Sequence, residues 1–167
     1  MIALLVDAVV VIASLVWAGG MLVLGAIVAP TVFRSGDPMA PDLMAAVFVR
    51  FDYVAIAAVA LILTAEAASW ILRVSAPARD RYVRLALAVA LGVCVAVQAG
   101  YLSPSIVSLH QRGAHRGFGP LGAEFERVHH WSELVGKFTV FAAVALAIYV
   151  LRSRHRSVSL PPPRDES

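Results

Sequence analysis

The chain contains four apolar stretches, each long enough to cross a lipid bilayer as a helix. They cover residues 8–33, 53–72, 85–109 and 134–151, and their only charged members are Glu66 and Lys137. About 20 apolar residues at a helical rise of about 1.5 Å span a hydrocarbon core of about 30 Å. With 60% hydrophobic and 15% charged residues, little of the chain is left to form a separate soluble domain. The pattern predicts an all-α, integral membrane, four-helix transmembrane bundle.

The predicted four-span domain occupies residues 1–152, with helices over residues 5–33, 42–73, 82–107 and 121–152. The last helix includes a lead-in that we expect at the membrane interface. Residues 153–167 are rich in proline and charge, which predicts a disordered cytoplasmic tail. The positive-inside rule places both termini in the cytoplasm and the protein in the cell (inner) membrane. One side carries Arg73, Arg79, Arg81, Arg84, Arg152, Arg154 and Arg156, and the other carries Arg34, Arg50, Arg112, Arg116 and Arg127.

Composition and motifs favour a protein that is not an enzyme. The net charge of +3 is spread over short segments at helix ends, so the expected counterions are lipid headgroups and not nucleic acid. Cys94 is the single cysteine, and no phosphate-binding glycine loop or Ser-His-Asp set is present. Small residues at every fourth position of the third helix, from Ala88 to Gly100, predict a close helix contact or a homo-oligomer.

Glu66 is the most deeply placed ionisable residue in the predicted spans. When all four helices are given the same rise per residue, Ser14 lies at the same depth as Glu66, and no basic residue does. An unpaired carboxyl at this depth is expected to hold its proton near neutral pH. Two interpretations follow: a protonated glutamic acid hydrogen-bonded to its neighbours, or a site for proton-coupled transport. The first is favoured because a proton relay needs a second ionisable group at a similar depth.

The outer half of the bundle is predicted to contain a polar pocket. Gln98 and Lys137 fall at about the same height on neighbouring helices, with Tyr101 one turn above. Glu133 lies four residues before Lys137 and four after His129, so the three side chains share one face of the last helix. A plain ion pair between Glu133 and Lys137 is the simpler interpretation of that face.

Four histidines fall in one predicted outer segment: His110, His115, His129 and His130. Met39 and Met44 come from the other outer segment, and imidazole with thioether suits copper, while imidazole alone also suits zinc and haem iron. A metal- or haem-binding membrane protein is therefore an alternative function. Histidines that bind only headgroups and water are the commoner case, and no motif requires a cofactor.

The segment Phe125-x-x-x-His129-x-x-Ser132, which leads into the last helix, resembles the signature of the transmembrane protein 205-like family, whose bacterial members form a domain of unknown function. Ala29-Pro30-x-x-Phe33 is similar to a second marker of that family. The resemblance implies a small four-span membrane protein with its Pro, Phe, His and Ser positions on one side. Gly136 stands where the family usually has Asn. A weaker likeness is to the copper resistance protein D family.

Together these features predict a non-enzymatic membrane module that binds a ligand or partner in an outward-facing pocket. The alternatives are a metal- or haem-binding membrane protein and proton-coupled transport through Glu66. The predicted pocket consists of Pro30, Phe33, Gln98, Tyr101, His129, Ser132, Glu133 and Lys137.

Overall fold

The computed structural model describes residues 1–72, 78–114 and 117–159, and its regular elements there are all helices. Four of these helices are long and apolar enough to cross a membrane. The predicted all-α, four-helix architecture is therefore confirmed. The helices are α1 (Ile2–Arg34), α2 (Ala40–Ile71), α3 (Arg79–Gln111) and α4 (Gly119–Ser159).

Helix α4 is the longest element and extends beyond both ends of its apolar stretch. Its 41 residues form an unbroken α-helix that runs past the predicted end at residue 152. At about 1.5 Å per residue it is about 60 Å long, roughly twice the thickness of a hydrocarbon core. Its first turns continue directly into the apolar stretch and pack through Phe125 and Val128 against the end of α3. Residues 160–167 of the predicted tail lie outside the described residues.

The four helices form a ring in which each packs against its two sequence neighbours, with α4 closing onto α1. The interior is built largely from small residues, whereas many large apolar side chains point outward. Leu61, Val93 and Phe141 are 55%, 58% and 76% exposed. In lipid there is little hydrophobic drive between helices, so small interior residues that permit close backbone approach hold such a bundle together. The buried residues of this core are Val10, Ala13, Trp17, Ala18, Ala55, Ala58, Val59, Ile62, Ala65, Ala88, Leu91, Val95, Ala142, Ala143, Leu146 and Val150.

The predicted ridge of small residues on α3 contacts another helix only in its first half. Ala88 is fully buried, and a Cβ placed on Gly92 would lie 3.5 Å from a side chain of α2. Ala96 is exposed, and a Cβ on Gly100 would meet nothing within 4 Å. Residues four apart on a 3.6-residue helix drift steadily around its surface, so the ridge leaves the interface. The buried face passes instead through Leu91.

Helices α1 and α3 each contain one widened, π-helical turn, at Leu24–Val28 and Gln98–Leu102. In both cases the next residue donates its N–H to the carbonyl five residues back, and a proline follows. Pro30 and Pro104 have no N–H, and a proline ring clashes with the carbonyl four residues before it. The wider turn removes that clash without breaking the helix. It also changes the direction of every side chain beyond it.

Candidate functional sites

The end of the bundle at which α1 begins and α4 ends, called here the terminal end, contains a buried ion cluster of Asp7, Glu66 and Arg84. The guanidinium of Arg84 contacts Glu66 Oε1 through Nε at 2.9 Å and through Nη2 at 2.8 Å. Its Nη1 contacts Asp7 Oδ1 at 2.7 Å. Glu66 and Arg84 are 1% and 4% exposed. The ion cluster therefore joins α1, α2 and α3 within the bundle.

The prediction that Glu66 has no basic partner is wrong. The predicted helix over residues 82–107 included Arg84, but Arg84 was counted among the basic residues outside the apolar stretch; α3 begins at Arg79, and its first turns carry Arg84 into the interior. A usable signal was present, since Arg84 lies four residues before Ala88 on the face that becomes buried. Ser14 is buried, and its hydroxyl has no hydrogen-bond partner among the residues that the structure describes.

Further polar contacts at the terminal end join α3 to its neighbours. The hydroxyl of Tyr149 on α4 donates to Asp80 Oδ1 at 2.7 Å. The guanidinium of Arg81 lies 5.2 Å from the ring centroid of Trp70 on α2, within the range of a cation–π contact. Because α3 is held from both sides, its rotation at this end is well determined.

At the opposite end, called here the loop end, a polar chain crosses three helices. The side-chain amide of Gln98 on α3 donates to Ser132 Oγ on α4 at 2.8 Å and to Ser103 Oγ at 3.3 Å. The hydroxyl of Ser103 also interacts with the side chain of Asp52 on α2, and both side chains line the same cleft. Gln98 and Ser103 lie at the two ends of the widened turn of α3, which allows one helix to contact both neighbours.

The polar chain ends in an open cleft of about 390 Å³ between α2 and α3. Asp52 and Ser103 are polar groups of its wall, and most of the remaining wall is apolar. The lining residues are Val49, Asp52, Tyr53, Ile56, Ala99, Ser103, Pro104, Val107, Ser108 and Gln111.

Asp52 differs from Asp7 and Glu66 of the ion cluster in having no salt bridge to a basic side chain among the described residues. Within residues 1–72, 78–114 and 117–159, no Lys, Arg or His nitrogen forms a salt bridge with its carboxylate. Sequence reasoning missed this residue because the apolar stretch was taken to begin at Tyr53. The signal was a carboxylate between Phe51 and Tyr53, in a segment that is apolar on both sides apart from Arg50.

The structure brings some residues of the predicted pocket together and separates others. Gln98 and Ser132 meet in the polar chain, as described. Along α4, the carboxylate of Glu133 lies 3.2 Å from His129 Nε2 and 3.6 Å from Lys137 Nζ. The ring of His129 also stacks on Phe125.

The aromatic members of the predicted pocket lie outside the bundle. Phe33 and Tyr101 are 54% and 64% exposed, and Pro30 is half-buried after the widened turn of α1. The lining of the cleft contains none of the eight predicted pocket residues. The cleft described above thus lies between α2 and α3 and is lined by neither Phe33 nor Tyr101.

The predicted metal or haem site is not supported. Among the described residues, no group of three or more His, Cys, Asp or Glu side chains is close enough to hold a metal ion. His110 pairs with Asp42 at 2.8 Å, His129 contacts Glu133, and His130 is exposed. His115 lies outside the described residues. Of the two methionines, Met44 is buried and Met39 is exposed.

The fold and its exterior define a class: a four-helix protein whose helices can each span a membrane. The chain belongs to the family described as a domain of unknown function (DUF4149), whose pattern it matches over residues 12–115. No curated protein and no solved structure matches it. The matched region contains the cleft and both widened turns. It ends before the Phe125–Ser132 segment, so the narrower likeness to the transmembrane protein 205-like family stays a prediction.

Proposed function

We propose that this chain is a multi-pass protein of the cell (inner) membrane that works without enzymatic activity, as a binding module. It has both termini in the cytoplasm and takes a small ligand into the cleft between α2 and α3 from the outer side. The observation that carries the proposal is the cleft itself, because an open, mainly apolar cavity with a few converging polar groups is the usual form of a ligand site.

Small side chains fill the interior of the bundle and large apolar side chains lie on its surface, and this distribution supports insertion into lipid. The large apolar side chains on the outside would need cover from water, and acyl chains provide it. The orientation is supported by basic residues at the terminal end. The sequence assigns seven arginines to the cytoplasmic side, and six remain when Arg84 is left out because its charge is compensated inside the bundle. The sequence assigns five to the other side.

The transmembrane protein 205-like relationship is proposed on the motif that ends at Ser132. That serine accepts a hydrogen bond from Gln98 and so begins the polar chain that leads to the cleft. If the motif residues of the transmembrane protein 205-like family have a common role, that role would therefore involve the same cleft. Proton-coupled transport through Glu66 is not proposed, because Arg84 holds its carboxylate in an ion pair.

Cysteine accessibility tests the proposed function. In a Cys94→Ala background, Ala99→Cys places a thiol in the wall of the cleft, and Ala96→Cys places one on the outward surface of the same helix, about one turn away. We expect a membrane-impermeant maleimide added from outside to label Ala99→Cys and not Ala96→Cys, since thiols react as thiolates in water.

A loop variant, Phe118→Cys, is the positive control, because Phe118 is 78% exposed beyond α3. Labelling at position 118 without labelling at position 99 would show that the cleft is closed to the outer solution. The proposed function would then be rejected.

A further inference from the structure

The wall of the cleft contains a carboxyl group, that of Asp52, with which no basic side chain of the described residues forms a salt bridge. Asp7 and Glu66 share the positive charge of Arg84, whereas Asp80 accepts a hydrogen bond from the uncharged hydroxyl of Tyr149. Asp52 is half-buried and interacts with the hydroxyl of Ser103, which carries no charge. A carboxylate that has lost part of its water shell and gained no cation is costly, and a positively charged ligand would remove that cost.

The surroundings of Asp52 specify the rest of the ligand. Val49, Ile56 and Val107 offer apolar surface, and the aromatic ring of Tyr53 offers a face that attracts cations. From Gln111 to Ala99 the cleft extends about 18 Å along α3, at about 1.5 Å per residue. Its volume lies in the range of sites for small organic molecules. No basic side chain lines it, so nothing in the wall would attract an anion.

We propose that the cleft binds an organic ammonium ion with apolar substituents, and that the carboxylate of Asp52 is its counterion. This inference rests on the proposed function. A bare metal ion fits less well, because one carboxylate and neutral hydroxyls make a poor oxygen cage. The ammonium group can belong to a free solute or to the headgroup of an outer-leaflet lipid, and the two sources share the same chemistry.

A direct binding measurement tests whether the carboxylate of Asp52 is the counterion of the ligand. The probe is radiolabelled benzyltriethylammonium, added to the full-length protein in nanodiscs of phosphatidylglycerol, with empty nanodiscs as the background. We expect Asp52→Asn to weaken binding about tenfold or more, since it removes the counterion and keeps the shape. Glu124→Gln removes an exposed acid outside the cleft and should leave binding unchanged.

A second variant covers the case in which Asp52→Asn fails to fold. Val49→Trp keeps the carboxylate and fills the cleft from its partly exposed rim, so it should also weaken binding. Equal affinity in the wild type and in a folded Asp52→Asn variant would overturn the inference. So would equal competition by the uncharged analogue benzyltriethylsilane.

Protection of Ala99→Cys from maleimide separates this inference from the proposed function. If the uncharged analogue protects the thiol as well as the cation does, the cleft is still a ligand site and the ammonium assignment is wrong. If the thiol is never labelled, the proposed function itself fails. Replacing a minor part of the phosphatidylglycerol with phosphatidylethanolamine, or with the same amount of uncharged diacylglycerol, removes the same negative surface charge. Probe binding that falls further with phosphatidylethanolamine indicates a lipid headgroup, and equal binding in the two indicates a solute.

Discussion

Arg84 is the residue on which the terminal end of the bundle depends most. One guanidinium compensates two carboxylates from two other helices, using three nitrogens at 2.7–2.9 Å. Taking such charges out of water is expensive, and only close pairing and hydrogen bonding offset the cost. The ion cluster is thus a condition for α1, α2 and α3 to pack in this arrangement.

Replacing Arg84 with methionine is expected to destabilise the protein by about 3–5 kcal/mol, because it leaves Asp7 and Glu66 without a basic partner. Unfolding by sodium dodecyl sulfate in mixed micelles measures the change. The triple variant Asp7→Asn, Glu66→Gln, Arg84→Met should recover part of the loss, since it removes the uncompensated charges. A single variant as stable as the wild type would mean that the ion cluster contributes little.

Contact between α1 and α2 depends on which of two adjacent glycines faces the neighbouring helix. A Cβ on Gly20 would lie 2.5 Å from the ring of Phe51, whereas a Cβ on Gly19 would meet nothing within 4 Å. The two residues are about 100° apart around the helix, so only one can lie in the interface. Gly20 therefore permits the close approach that small residues provide between helices in lipid.

Gly20→Ala is expected to lower stability by about 1–3 kcal/mol, because Phe51 or the helix backbone must shift to admit the methyl group. Gly19→Ala is the matched control and should not lower stability. Detergent unfolding of both variants, side by side, measures the difference. Phe51→Leu combined with Gly20→Ala should restore stability, and a double variant no better than the single one would argue against this contact.

Across the whole molecule, helix length and side-chain distribution bear on how the bundle would lie in a membrane under the proposed function. Each helix has 32 residues or more and is therefore longer than a hydrocarbon core requires. The extra length of α4 projects at both ends. The exposed arginines Arg79, Arg152 and Arg154 lie at the terminal end, where anionic headgroups would bind them.

The proposed topology predicts opposite labelling of the two ends. In intact cells, an impermeant maleimide should label Phe118→Cys and should label Arg79→Cys only after the membrane is made permeable. Cys94→Ala provides the background without a native thiol. Labelling of Arg79→Cys in intact cells would reverse the orientation, and recovery of the protein in the soluble fraction without detergent would contradict membrane insertion.

The number of helices and their type could be read from the sequence, because hydropathy along one stretch is a local property. The widened turns were not predicted, although Pro30 and Pro104 marked both places. Sequence reasoning put Gln98 at the height of Lys137, whereas the structure shows its bond to Ser132, five residues earlier on the last helix. It placed Phe33 and Tyr101 in a pocket, whereas both side chains are mostly exposed.

The partners of Arg84 and the position of the cleft could not be obtained in this way. Arg84 and Asp7 are 77 residues apart, and their contact depends on how two helices are rotated and tilted relative to each other. Each residue turns a helix by about 100°, so a small error in phase moves a side chain from the interior to the surface. Hydropathy determines which segments become helices. The packing of α2 against α3 determines that Asp52 lies in a cleft and that Glu66 lies beside an arginine.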